Sequence, residues 1–335
     1  MSRKQQELDA RVPGRSSHSR KSIRRWGEKP YYSLDYYLKQ TFGEKIYKIA
    51  LDSGGTCPNR DGTLDTRGCI FCSAGGSGDF AATGRSITEQ LQNGIRQLEN
   101  TRKYHGGKYI AYFQSFSNTY APVDHLRQKY EEAMHYPGVV GLSIATRPDC
   151  FSSEIYDLLA ECHKTMPVWV ELGLQTIHEM TARQIRRGYS LPVFETCVHE
   201  LRTRGIPVIV HVILGLPGET TQDVLQTIEY LNHADIQGIK LQLLHILKGT
   251  DLAAIPDRSF VLSEDDYVAL LLQCVGHLSP NIVIHRLTGD GPKELLLAPL
   301  WSLNKRRVLN HISHDMKVQQ LYQGKYLEQK EGTSV

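Results

Sequence analysis

Short apolar runs alternate with longer amphipathic stretches along most of this chain. The runs at 46–51, 109–113, 139–145, 168–174, 207–214 and 239–244 have the length and the flanking turn residues of strands. Between them lie stretches with apolar groups every three or four residues, at 86–104, 123–135, 153–163, 178–187, 192–204 and 221–232. In the first of these Ile87, Leu91, Ile95 and Leu98 share one face. This alternation predicts parallel βαβ units, and the near absence of polar residues in the central runs predicts strands covered on both faces. The fold class is therefore α/β. A partial (β/α)6 barrel of TIM type and a doubly wound open sheet both fit, and in either one functional groups gather at the C-terminal strand ends.

The flanks differ from this core. Residues 1–29 are polar and without periodicity, and read as a basic, flexible arm. Residues 31–42 have apolar groups at helical spacing. The core spans 30–247, with a loop at 53–82 behind its first strand. Residues 248–335 read as a C-terminal cap or extension. It opens on a linker at 248–260 and holds a helix at 265–277, a strand at 282–285 and an apolar segment after a turn at 288–301.

Composition narrows the class. The chain has 335 residues, 40% hydrophobic and 22% charged, as soluble globular proteins do. No apolar run nears the roughly 18–20 residues of a membrane helix, and the N-terminal residues carry no apolar h-region. Seven cysteines at uneven spacing do not form a secreted disulfide framework, so the expected compartment is the reducing cytoplasm. Net charge is only +3, yet the basic residues cluster. Arg11, Arg15, Arg20, Lys21, Arg24, Arg25 and Lys29 are accompanied by one acid, Glu28, and Lys305-Arg306-Arg307 forms a second group. Such groups can neutralise phosphates, or they can be solvated tails. A transit peptide is a third reading of the N-terminal group, against which Glu7 and Asp9 count.

The candidate chemistry starts at Cys57, Cys69 and Cys72, on one loop directly after the first strand. Three thiolates can hold three irons of a [4Fe–4S] cluster and leave the fourth open to a small molecule. Zinc is the alternative, because Cys-x-x-Cys is also a zinc half-site. A structural zinc site normally needs a fourth ligand, and none lies nearby: no His occurs between His18 and His105, and the next cysteine is Cys150. Cys150, Cys162, Cys197 and Cys274 read as packed small hydrophobes. Polar or glycine-rich punctuation follows the other strands: Gln114 to Pro122, Ala145 to Asp149, Glu171 to Thr176, Arg186 to Tyr189, and Leu214 to Thr220 behind the run that carries His211. No dinucleotide fingerprint or P-loop is present.

Taken together these motifs resemble the radical S-adenosylmethionine (SAM) superfamily, in the branch of the Elongator catalytic subunit and oxygen-independent coproporphyrinogen dehydrogenase. The common C-x3-C-x2-C motif is lengthened here to C-x11-C-x2-C, with Phe71 in the aromatic place before the last cysteine. Over about residues 30–315 the chain is similar to the YhcC/YtqA-like group associated with MnmL-type tRNA-modifying enzymes. That similarity rests on Cys57-Pro-Asn-Arg-Asp-Gly62, Gly68-Cys-Ile-Phe-Cys72, Gly76-Ser-Gly-Asp79, Phe116-Ser-Asn-Thr-Tyr-Ala-Pro122, Thr146-Arg-Pro-Asp149, Leu172-Gly-Leu-Gln175, Gly215-Leu-Pro-Gly-Glu219 and Leu287-Thr-Gly-Asp290.

The resemblance implies a partial barrel of the radical SAM type, with a [4Fe–4S] cluster on Cys57, Cys69 and Cys72 and SAM as second cofactor. It implies Gln175, Arg187 and His211 as SAM contacts, with Arg187 on the carboxylate, and Gly215 and Gly218 under the adenine. Thr146 stands near the place of a Glu that contacts SAM in the coproporphyrinogen enzymes. The implied chemistry is reductive cleavage of SAM to a 5′-deoxyadenosyl radical that removes a substrate hydrogen. The implied substrate is the tRNA wobble uridine, whose 5-carboxymethylaminomethyl group becomes 5-aminomethyl. The implied reductant is a donor such as flavodoxin or ferredoxin. Tyr31, Tyr32, Tyr36 and Tyr37 could stack bases or pack their own helix. A radical SAM enzyme on a small molecule or peptide, and a zinc-dependent RNA-binding protein, are the competing readings of the same residues.

Overall fold

The computed structural model describes residues 24–76, 78–101 and 104–331. The expectations for residues 1–23, most of the basic arm, lie outside the described residues. The strands are β1 (Ile46–Leu51), β2 (Lys108–Phe113), β3 (Val139–Thr146), β4 (Val168–Gln175), β5 (Val208–Leu214), β6 (Gly238–Leu243), β7 (Ile246–Leu247), β8 (Val283–Arg286) and β9 (Leu296–Ala298). The helices are α1 (Leu34–Phe42), α2 (Ile87–Glu99), α3 (Val123–Met134), α4 (Ser153–Thr165), α5 (Glu179–Gln184), α6 (Leu191–Thr203), α7 (Thr221–His233), α8 (Asp251–Ala254), α9 (Glu264–His277), α10 (Lys305–Val318) and α11 (Lys325–Glu331).

Seven strands form one parallel sheet in the order β1-β2-β3-β4-β5-β6-β8. Helices cover its outer face, with the fully buried Leu51, Phe113, Leu142, Ile144, Val170, Leu172 and Val210 between the layers. Burying one such side chain contributes roughly 1.5–3 kcal/mol. The sheet curls strongly: Lys48 on β1 and Lys240 on β6 both reach Glu171 on β4. Strands so far apart in a flat sheet could not place their side chains on one carboxylate. β1 and β8 do not pair, so the barrel is partial.

The seventh strand comes from the C-terminal region. Residues 248–335 are thus more than a cap, because β8 lies parallel against β6 with Lys240 opposite Arg286. The outer edge of β8 is covered in turn. Ile284 N–H donates to the Tyr32 carbonyl at 2.7 Å, and the buried Gln323 side chain accepts from Tyr32 N–H while donating to Ser279 and Ile282 carbonyls. Covering an edge in this way removes unpaired strand groups from solvent. At the start of the described chain Trp26 is buried and stacks on Tyr32 at 5.9 Å, while residues 24, 25 and 27–29 are exposed. Tyr32 also meets Tyr36 and Tyr37 edge-on, which is the packing arrangement for these rings. Among the described residues no helix is long and apolar enough to cross a membrane.

Candidate active site

The cysteine loop is built by local bonds. Cys72 N–H donates to the Cys69 carbonyl at 3.1 Å, and Arg60 donates to the carbonyls of Cys72 and Ser73. Gly68 adopts φ +75°, and an added Cβ would stand 2.9 Å from Arg60 Nε, so only glycine lets the chain turn under that guanidinium. Asn59 N–H groups reach the Cys69 sulfur at 3.6 Å and the Arg186 carbonyl at 2.8 Å. Beneath the loop Ile70 packs with Ile185, Ile213, Leu216, Leu244 and Leu252, which fixes it over the strand ends.

All three cysteines line one cavity at those ends, together with Thr146, Arg147, Glu171, Gln175, Arg187 and His211. The Cys72 thiol donates to Cys69. That bond, aided by Arg147, Asn59 and Arg60, outweighs burial and lowers the Cys69 thiol to about 6. A thiol so placed is ready to ligate as thiolate. No set of three or more His, Cys, Asp or Glu among the described residues is placed to hold a single metal ion. The ligands of an iron–sulfur cubane bind separate irons and need not converge on one point, so the donor set fits a cluster.

The end of β4 is shaped for a ligand. Gln175 sits at φ +69° where the register with β5 shifts, and Gly173 leaves space for its folded-back side chain, whose Nε2 lies 2.9 Å from where a Cβ would stand. Its Oε1 is buried without a hydrogen-bond partner among the described residues, and the residue lines the cavity. An orphaned buried acceptor beside the thiolates is the signature of a missing partner.

Arg187 is placed differently from the expectation. Its side chain is almost wholly buried. Its Nε donates to the Tyr189 carbonyl, its Nη1 to the Leu174 and Thr176 carbonyls, and its Nη2 to Glu179. These bonds hold the turn after β4, and a bidentate bond to a SAM carboxylate would require breaking several of them, although the residue lines the cavity. Gly215 and Gly218, unlike Arg187, are not part of the cavity lining. Their positive φ angles make the turn after β5, and Gly215 packs under Leu262. Thr146 does line it, bonded through its hydroxyl to Thr119.

His211 belongs to a buried network that the sequence reading did not assemble. Glu171 Oε1 accepts from Lys48 Nζ and Ser143 Oγ, each at 2.6 Å, while Oε2 meets His211 Nε2 at 2.8 Å and Lys240 Nζ. Burial opposes ionisation of Glu171, but Lys240, Lys48 and His211 hold it well below its ordinary value. Burial, helped by the charge on Lys240, lowers His211 to about 4. His211 is therefore neutral near pH 7, with Nε2–H assigned toward Glu171 and Nδ1 left as an acceptor. The signal for this network was present in the sequence as single charged residues within otherwise apolar strands: Lys48, Glu171, His211 and Lys240. Arg147 and Arg286, on the same cavity, were also missed.

Residues 54–231 match the model of the Radical SAM superfamily, and residues 236–318 match the Radical SAM C-terminal domain. The chain is 45% identical over 311 residues to the uncharacterized protein YtqA of Bacillus subtilis, covering 92% of this chain and 96% of that one. It is 37% identical over 271 residues to protein YhcC of Escherichia coli, covering 80% and 86%. Its fold superposes on the archaeal Elp3 of Methanocaldococcus infernus with a TM-score of 0.62 at 16% identity, over 83% of this chain and 64% of that one. Sequence, fold and site agree: this chain belongs to the radical SAM superfamily, as an enzyme whose cofactors are a [4Fe–4S] cluster and S-adenosylmethionine.

Proposed function

We propose that the enzyme modifies the side chain of the tRNA wobble uridine, converting 5-carboxymethylaminomethyluridine to 5-aminomethyluridine, with SAM as the net two-electron oxidant and the carboxymethyl group leaving, after oxidation at its methylene carbon and hydrolysis of the C–N bond, as the two-carbon aldehyde acid. The observation that supports this reading most is the near full-length similarity to YtqA and YhcC, the group to which the motif pattern already pointed. Family membership also favours iron–sulfur over zinc for the three cysteines.

When bound, the cluster and SAM supply one-electron cleavage of a sulfonium bond and abstraction of a hydrogen from an unactivated carbon. The protein's part is placement. Cys57, Cys69 and Cys72 would hold the cluster. Gln175 offers its unpaired Oε1, and neutral His211 its Nδ1, to the amino or ribose groups of SAM. The network around Glu171 fixes the His211 ring, so this acceptor is set in advance of binding. SAM and substrate seated in the cavity would keep water from the reacting groups. The reductant in this reading is a small donor such as flavodoxin or ferredoxin. The setting is the cytoplasm, which suits seven free cysteines and an oxygen-sensitive cluster. On α10, Arg306 has no ion-pair partner among the described residues, whereas Lys305 and Arg307 pair with Asp290 and Glu264, which leaves Arg306 for a tRNA phosphate.

Nucleoside analysis of tRNA from cells with and without the gene tests the assignment. Cells lacking it should accumulate 5-carboxymethylaminomethyluridine at the expense of 5-aminomethyluridine. An unchanged wobble-uridine profile would overturn the tRNA assignment and leave the enzyme class intact.

A further inference from the structure

One wall of the cavity carries a cation without a committed partner. Arg286, the last residue of β8, lines the cavity beside Gln242 and His245. It makes no hydrogen bond among the described residues, and its only ion pair is a loose one to Asp290 at 3.6 Å. Asp290 is itself held through both oxygens by Lys305 Nζ at 2.7 Å. One carboxylate thus faces two cations and leaves guanidinium charge unmatched. Lys240, the register partner of Arg286, gives no relief, because it is a cation occupied with Glu171 and Tyr112. A guanidinium that is two-thirds shielded from water and short of acceptors is poised to take an anion in bidentate fashion.

The surroundings are built to keep this position. The segment Leu287-Thr-Gly-Asp290 turns straight out of β8. At Gly289 an added Cβ would stand 2.8 Å from His245 Cε1, so glycine allows the turn to lie flat on that ring. Ser302 Oγ donates to the Pro299 carbonyl and so accepts from His245 Nε2–H, and burial lowers the ring to about 4, so His245 is a neutral support for the turn with no proton to give a carboxylate. Gln242 adds an amide. The wall therefore offers one planar cation flanked by neutral polar groups, which suits a single carboxylate better than a highly charged polyphosphate.

We propose that Arg286, with the Gln242 amide beside it, is the receptor for a carboxylate on the substrate. This inference rests on the tRNA reading above, in which the carboxymethyl carboxylate is the group that distinguishes substrate from product. Arg286 would bind the substrate form in preference to the product and direct the carboxymethylamino group toward the cluster end of the cavity. The other carboxylate that enters this cavity is that of SAM, and the experiment separates the two.

Reconstituted enzyme with SAM bound is titrated with the free nucleosides 5-carboxymethylaminomethyluridine and 5-aminomethyluridine, for the wild type, Arg286→Gln and Arg286→Lys. The wild type should prefer the carboxylate nucleoside at least about tenfold, as expected for one charge-assisted pair. Arg286→Gln should bind both equally, and Arg286→Lys should regain part of the preference. All three should show the same change in cluster spectrum on adding SAM. No preference in the wild type, or a preference that survives in Arg286→Gln, overturns the proposal. Loss of the SAM response in Arg286→Gln also overturns it, by assigning Arg286 to the SAM carboxylate. A preference that follows Arg286 alongside an unchanged wobble-uridine profile in cells lacking the gene would retire the tRNA reading and leave the receptor standing.

Discussion

Single atoms decide the site at the residue scale. Gly68 is required both by its φ of +75° and by Arg60 lying where a side chain would project. Gly68→Ala should cost about 1–2 kcal/mol in backbone strain and push Arg60 off the carbonyls that shape the Cys69–Cys72 turn. The expected result is a folded protein with reduced iron per chain after anaerobic reconstitution, and full iron loading would refute it. Gln175 makes the complementary case. Its orphaned Oε1 does nothing for the ligand-free fold, so Gln175→Ala should leave the melting temperature within a few degrees while weakening SAM binding about tenfold, the worth of one hydrogen bond to a charged group. SAM affinity equal to wild type would show that the amide points at something else. The three cysteines were legible in the sequence because their spacing alone implies their chemistry. Gln175 was legible only through resemblance, since a non-glycine residue at positive φ leaves no mark in composition or periodicity.

At the scale of elements, the strands were legible and their inner faces were not. The apolar runs mark β1 to β6 within a residue or so, because strands buried on both faces admit few polar groups. The helix expected to reach residue 104 stops at Glu99, where the chain turns into the loop before β2. β8 was read as a strand but assigned to a cap, because α8 and α9 and the loop between them separate it from β6 and hide a further βαβ crossover. What joins the elements inside the barrel is a set of lone charges, each unremarkable by itself. Glu171 ties β4 to Lys48 on β1, Ser143 on β3, His211 on β5 and Lys240 on β6. Removing only the carboxylate strands the buried Lys240 ammonium and the partly buried one of Lys48. Glu171→Ala should therefore destabilise the fold by about 3–5 kcal/mol in urea titrations. Replacing the whole set, as Lys48→Met with Glu171→Leu and Lys240→Met, should recover a large part of that loss. If the single variant is as stable as wild type, the network is no structural keystone.

For the molecule as a whole, the buried titratable groups set a pH range over which the fold holds. Burial lowers His211 and His245 to about 4, and burial together with the charge on Lys48 puts His285 well below the ordinary value of 6.5. In the unfolded chain these rings titrate near their ordinary value. Between about 6.5 and 4 the unfolded state therefore binds protons that the folded state does not, and stability falls as the pH falls. Glu171 acts in the same direction at lower pH, because its depressed value means the carboxylate stays ionised until strong acid. Each neutral histidine should contribute a slope of up to about 1.4 kcal/mol per pH unit within its window. Urea midpoints should accordingly drop steeply between pH 6 and 4.5, well before ordinary surface carboxylates protonate in number, and because burial lowers Lys240 to about 7 they should go on rising above pH 7. His245→Gln, which keeps a polar group near Ser302, should flatten that slope by about one proton's worth while changing the midpoint at pH 7.5 little. A wild-type midpoint that does not move between pH 7 and 5 would mean that these rings take up protons in place, and that the cavity floor is wetter than its packing implies.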